Sequence, residues 1–257
     1  KAFILIGDKA NGKSTYLDMI KTLLGDENTS ALDLNELDER FKTAELFGKL
    51  ANIGDDIGDE FIPNPAIFKK LTSGERVNAE RKGLDPFDFN SYAKLLFSAN
   101  NIPRIKDKSG AVLDRLIIIP FNATFSNTDP DYDPYIKYKL RSEECMKYLI
   151  KVGLEGLKRV LANRKFTLSE KVTNQIKEYE EHNNPIILFF KDIDETEIVN
   201  EPTKDVYRKY QEFCLANSFQ PLSNIEFSKQ LKKRLNLDIV DKKIDGKKYR
   251  IFTRRTS

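Results

Sequence analysis

The feature that most constrains this chain is Gly7-Asp8-Lys9-Ala10-Asn11-Gly12-Lys13-Ser14, a G-x-x-x-x-G-K-[ST] loop. It follows the apolar run Phe3–Ile6, which reads as a buried strand. It precedes Ser14–Leu24, where Tyr16, Leu17, Ile20 and Leu24 recur at three- and four-residue spacing and predict a helix. Glycines let such a loop curl until its amides converge on one point, and the positive end of the following helix adds to the field there. That geometry suits the phosphates of a nucleoside triphosphate. Gly7, Asp8, Lys9, Ala10, Asn11, Gly12, Lys13, Ser14 and Thr15 are the expected binding residues, with Lys13 on the β and γ phosphates and Ser14 on magnesium.

A loop of this kind needs acid at the end of a neighbouring strand. Leu50–Ile53 is a second expected strand, less apolar than the first, and Asp55 and Asp56 follow it. Metal-shell support falls to Asp55 and water activation to Asp56, with the roles exchangeable and Asp59 or Glu60 as competitors. Further strands are expected at Ala93–Ala99 and Arg115–Pro120. Strands separated by helical stretches imply an α/β fold with a parallel sheet and flanking helices.

Between the second and third strands, PNPAIFKKLTSG predicts a helix stopped by Gly74, and RVNAERKGLDPFDF predicts a hairpin or extended loop around Gly83. Leucine-rich helices over residues 136–163 and 169–181 are expected to pack on or beside the sheet. From Asn184 a second, smaller domain is outlined, giving the division 1–183 and 184–257. It comprises a helix at Pro185–Ile193, a longer one at Thr203–Asn217, and a third opened by the Ser223/Glu226 capping box, followed by two strands about Asp245-Gly246. Three helices and a basic hairpin predict a winged helix.

Composition narrows the chemistry. No apolar run approaches the roughly 20 residues that cross a bilayer, so no membrane partner is expected, and the setting implied is the cytoplasm of a bacterial cell or phage-infected host. Lys1 stands directly before a core strand, which suggests a preceding region. His182 is the only histidine, and Cys145 and Cys214 lie on separate helices without a CxxC pair, which disfavours a histidine triad or zinc site and marks both cysteines as expected core residues. Residues 203–257 carry 14 Lys/Arg against 6 Asp/Glu, a net +8 in a chain whose total is +3. The basic tail favours a polyanionic partner.

Two further stretches, LLFSANNIPR ending its strand near Asn100 and DRLIIIPF beginning at Asp114, complete a recognisable order. With the loop, the Asp55-Asp56 strand end and IFKKLTSGERVNAERKG, the region Lys1–Phe121 resembles the superfamily 3 helicase domain of phage and plasmid primase-helicases, relatives of the poxviral primase-helicase. The resemblance implies an AAA+ ATPase core that uses ATP and Mg2+, assembles as a homo-oligomeric ring, a hexamer, and moves along single-stranded DNA. It implies that Asn100 positions the lytic water and that Arg115 is a finger reaching the neighbouring subunit's nucleotide, with Arg104 in reserve. Family members often carry two adjacent arginines where this chain has Asp114-Arg115. It also places Arg81 and Lys82 on a hairpin facing the channel, touching phosphates with little base preference.

In the carboxyl unit, Lys229, Lys232, Lys233, Lys247, Lys248 and Arg250 are candidates for duplex DNA, with protein docking or a solubilising face as the alternatives. The leading expectation is an ATP-dependent DNA helicase, the C-terminal part of a primase-helicase, serving replication of a phage, plasmid or mobile element. The alternative is an ATP-switched DNA-binding initiator or loader that does not unwind. A small-molecule kinase would share the loop but gives no reason for the basic tail.

Overall fold

The alternation of apolar strands with helical segments resolves into a parallel sheet whose strand ends face one way. The computed structural model describes residues 1–58, 65–101, 111–217, 219–244 and 246–255. The chain divides into two units, Lys1–Lys177 and Glu178–Ser257. Along the first run β1 (Ala2–Ile6), α1 (Lys13–Leu24), β2 (Thr29–Ser30), β3 (Ala51–Gly54), α2 (Pro65–Ser73), β4 (Arg76–Ala79), β5 (Phe87–Asn90), β6 (Lys94–Ala99), β7 (Leu116–Pro120), α3 (Ile136–Lys139), α4 (Glu143–Asn163) and α5 (Glu170–Asn183), the last crossing into the second unit. The second continues with α6 (Pro185–Asp192), α7 (Thr203–Ala216), α8 (Asn224–Leu235), β8 (Leu237–Ile244) and β9 (Lys247–Arg254).

The sheet order is β2-β3-β6-β1-β7, and every pairing in it is parallel. Register aligns Ile6 with both Ala99 and Pro120, and Gly54 with Phe97. The chain therefore leaves β1, β3, β6 and β7 at the same edge. Ile4, Leu95, Phe97 and Ile118 are fully buried, each contributing roughly 1.5–3 kcal/mol of apolar burial. Leu17 of α1 packs with Leu5, Ala51 and Ile53, flanked by Ile20 and Leu24, so one face of the helix covers the sheet as its spacing predicts. Tyr16 instead leans its ring edge-on against Phe121 at 5.9 Å and stays partly exposed.

The low apolarity of β3 has a local cause. Asn52 is fully buried, accepting from Ser30 Oγ and Leu32 N and donating to Leu32 O, each at 2.9 Å. Its amide extends the short β2 pairing where backbone bonds run out, so a buried polar group stays satisfied.

α2 ends at Gly74, whose φ is +72°. The chain turns into the antiparallel pair β4–β5, with Arg76 opposite Asn90 and Ala79 opposite Phe87. Val77, Ala79 and Phe89 are buried, the two-residue alternation of a half-buried hairpin. The stretch read as hairpin or loop is thus a hairpin.

Expectation and structure differ at α4. Its apolar residues were expected to pack on or beside the sheet, yet the helix buries none of them: Leu157 and Leu161 are 52% and 69% exposed. Periodicity tells which residues share a face, not what covers it. Cys145, on the same helix, is half-buried rather than a core residue, whereas Cys214 is fully buried.

In the second unit, Ile186, Phe189, Val206, Tyr210, Cys214, Phe227, Leu231, Leu237 and Phe252 form one core. Tyr210 stacks on Phe227 with centroids 4.5 Å apart. Ser223 Oγ accepts from Glu226 N at 3.3 Å, the capping contact expected at the start of α8. β8 and β9 pair antiparallel up to Ile244 opposite Lys247, and Pro202 adds an antiparallel bridge to Ile251. Asp245, half of the expected turn, lies outside the described residues. Among the described residues no helix is long and apolar enough to cross a membrane.

Candidate functional site at the carboxyl edge of the sheet

The loop after β1 takes a conformation its sequence dictates. Gly7 has φ +150°, and a Cβ there would collide with Asn11 Nδ2 and the carbonyl of Phe121. Gly12 has φ +89° and sits at the start of α1, where a β-carbon would be strained. Directly after Gly12, Lys13, 7% exposed, folds back over the loop. Its Nζ donates to Gly7 O at 2.5 Å, Asp8 O at 2.8 Å and Asn11 Oδ1 at 3.1 Å. An ammonium has three donors, and all three are used.

Asn11 is equally well held. Its Nδ2 donates to Phe121 O at 3.0 Å, and Phe121 N donates to Ile6 O at 2.7 Å. A few residues on, Phe125 N donates to Ala10 O at 2.8 Å. The segment leaving β7 thus straps the loop from outside.

Opposite the loop stand the acids. Asp55 Oδ1 accepts from Ser14 Oγ at 3.3 Å and from Ser98 Oγ at 2.5 Å. Ser98 Oγ in turn accepts from Asp56 N at 2.9 Å. Asp56 has φ +55°, a left-handed conformation that aspartate tolerates better than most residues. Ser98, 1% exposed in β6, thus fixes both the Asp55 carboxylate and the Asp56 backbone.

These groups close a cleft of about 460 Å³ lined by Asp8, Lys9, Ala10, Asn11, Gly12, Lys13, Ser14, Thr15, Asp55, Asp56, Ser98 and Asn100. The sequence-predicted phosphate, metal and sensor residues therefore converge on one place. A hydroxyl and two carboxylates form an all-oxygen donor set, which suits a hard cation such as Mg2+. The collision that a Gly7 side chain would suffer marks a bare-backbone cradle of the kind phosphate needs. The residues present fit both groups.

Arg115 lies elsewhere. It immediately precedes Leu116, which pairs with Ala2 at the far end of β1, so the length of β7 separates it from the cleft, roughly 13 Å at 3.3 Å per residue. Its Nη1 donates to Ala111 O at 2.7 Å, and Nε and Nη2 donate to Ser73 Oγ at 3.3 and 3.2 Å. Arg81 and Lys82 are exposed beyond β4. The Arg81 guanidinium lies over the rings of Phe87 and Phe47, 4.8 and 5.5 Å from their centroids. Asp59, Glu60 and Arg104 lie outside the described residues.

In the second unit Lys229, Lys232, Lys233, Arg250 and Arg255 line a separate basic cleft of about 610 Å³ with Asn224 and Asn236. Lys232 and Arg255 share Asp238, at 3.4 and 3.2 Å. Lys247 and Lys248 are not in that lining; they begin β9 at the hairpin tip, with Lys248 paired to Asp241 at 2.8 Å.

Sequence reasoning missed Ser98, Ser73 and the Phe121–Phe125 strap. None carries a motif signal, and only strand register shows Ser98 beside Asp55.

Comparison with known proteins adds the following. Residues 5–115 match a family of unknown function, DUF5906, and residues 181–253 match the poxvirus D5 protein-like family. The helicase-named protein 121R of Invertebrate iridescent virus 3 is 26% identical over 95% of this chain and 30% of its own length. The helicase-named protein 184R of Invertebrate iridescent virus 6 is 36% identical over 28% of this chain and 8% of its own length. The chain thus spans less than a third of these relatives. The apo C-terminal region of NrS-1 shares the fold, with a TM-score of 0.60 at 16% identity over 99% of this chain and 67% of that one. The D5-like segment, the viral relatives and the shared fold together support the resemblance to a D5-like superfamily 3 primase-helicase domain.

Proposed function

We propose that the chain is an ATP-dependent DNA helicase motor, acting as a ring of identical subunits in the replication of a virus, plasmid or other mobile element. The observation that carries this reading is the division of the sheet. Lys13, Ser14, Asp55, Asp56 and Asn100 meet at one edge, while Arg115 sits beyond the opposite end of β7. An arginine so placed is out of reach of its own cleft and is suited to a neighbouring subunit's.

Lys13 exchanges its three carbonyl-type acceptors for phosphate oxygens when the triphosphate enters. Ser14 and Asp55, already in contact, would hold Mg2+, whose charge would offset that developing on the phosphates. Asp56 and Asn100 orient the attacking water, and the neighbour's Arg115 steadies the charge leaving the γ phosphate. Arg81 and Lys82 on the β4–β5 hairpin contact single-stranded DNA. The second unit has the helix-helix-helix-hairpin order of a winged helix, and its basic cleft is suited to duplex phosphates.

Strand displacement on a forked duplex with Mg-ATP tests the reading. Wild type unwinds and Lys13→Ala does not, although it folds. Arg115→Ala is inactive alone and regains activity when mixed with Lys13→Ala subunits. ATP turnover without unwinding by an assembled ring would replace the motor with an ATP-switched initiator or loader.

A further inference from the structure

The cleft at the sheet edge is built for phosphate and metal. Among the described residues its lining holds no aromatic side chain, and Ala10 is the sole aliphatic one. A nucleoside triphosphate also carries a flat base whose faces favour an apolar surface. Sheet order says where that base emerges. β1 lies between β6 and β7. Asp55 and Asn100, just past the ends of β3 and β6, line the cleft on one side of the loop, where on the nucleotide reading the γ-phosphate end would lie. The sugar and base then leave on the other side, toward the segment that follows β7.

On that side stands Phe125. The residue is 55% exposed, yet its backbone is tied to the loop by the bond from Phe125 N to Ala10 O. A Cβ placed on Gly12 would lie 3.4 Å from Phe125 Cε2, so the ring edge borders the first turn of α1. An aromatic ring so anchored and so open is a platform for a flat apolar group. We infer that Phe125 stacks on the base of the bound nucleotide. The inference rests on the nucleotide reading of the loop and adds a base subsite to it. A π face serves any base, so Phe125 contributes affinity with little discrimination among nucleoside triphosphates.

The test compares Mg-ATP with Mg-tripolyphosphate, which has the phosphates and no base, by calorimetry on wild type, Phe125→Ala and Phe125→Tyr. Stacking on an aromatic side chain is worth roughly 1–3 kcal/mol per base, about 5- to 150-fold in Kd. Phe125→Ala is expected to weaken Mg-ATP by that factor and leave tripolyphosphate unchanged, and Phe125→Tyr to restore ATP affinity. The alanine variant keeps the backbone bond to Ala10, and its melting curve checks that the unit stays folded. Equal weakening of both ligands would make Phe125 a strap alone, and undiminished ATP binding by Phe125→Ala would also overturn the subsite. Failure of wild type to bind either ligand would instead remove the nucleotide reading, and the subsite with it.

Discussion

Asn11 joins the loop to the strand beyond it: its amide nitrogen donates to the carbonyl of Phe121 at 3.0 Å while its oxygen accepts from Lys13. The side chain is 5% exposed, so neither bond is replaced cheaply by water. Asn11→Ala leaves the Phe121 carbonyl and one Lys13 donor without partners, a loss of about 1–3 kcal/mol. Urea denaturation followed on the first unit should show a lowered midpoint with an unchanged slope. An unmoved midpoint would mean that the bridge contributes nothing to stability.

Ser98 should matter to the metal more than to the fold. Its hydroxyl holds Asp55 Oδ1 and receives Asp56 N. Loss of a group that orients a ligand from behind typically costs 10- to 100-fold in metal affinity or activity. Ser98→Ala is therefore expected to raise the Mg2+ concentration for half-maximal ATP turnover by about that factor, with ATP affinity in excess Mg2+ much less affected. An unchanged Mg2+ profile would assign Ser98 to packing alone.

These two residues show where sequence is legible and where it is not. Gly7, Gly12, Lys13 and Ser14 are read at once because the loop is local: each residue's task is fixed by its few neighbours. β1 and β7 are read from unbroken apolar runs, as strands buried on both faces must be. β3 is fainter because Asn52 spends its amide on Ser30 and Leu32, a long-range bond with no local signature. Ser98 becomes meaningful only once β3 and β6 are in register, and Phe125 only once β7 is placed beside β1. In α4 the reading fails differently. The apolar spacing is correct, but the burial that such spacing implies is absent from the helix.

The basic cleft of the second unit yields a salt-dependence prediction. If Lys229 and Lys233 meet duplex phosphates, each contact releases about 0.9 counterion. Replacing both by alanine should lower the slope of log affinity against log salt by about 1.8 and weaken different duplex sequences to the same degree. Fluorescence anisotropy with two unrelated duplexes from 50 to 200 mM salt measures both. A sequence-dependent loss, or an unaltered slope, would remove these lysines from phosphate contact.

The pair that ties α1 to the segment after α3 predicts a pH dependence. Arg141 Nε donates to Asp18 Oδ2 at 2.7 Å and Nη2 to Oδ1 at 2.5 Å, a two-pronged contact. The Arg141 hydrogen bond holds the Asp18 carboxyl below its ordinary range, against a smaller opposing push from burial. A carboxylate depressed in the folded state stabilises above its unfolded pKa, near 3.9, and that stabilisation disappears as pH falls through the lower folded value. The Arg141 side chain is 44% exposed, so solvent screening keeps the gain small. Arg141→Ala should be slightly destabilising, to the same extent at pH 7 and at pH 5. Below about pH 4 the gap between wild type and variant should close, and raising salt at pH 7 should narrow it as well. Denaturation curves across this range decide the matter: a gap that persists at pH 2 would locate the role of Arg141 in the packing of its aliphatic stem.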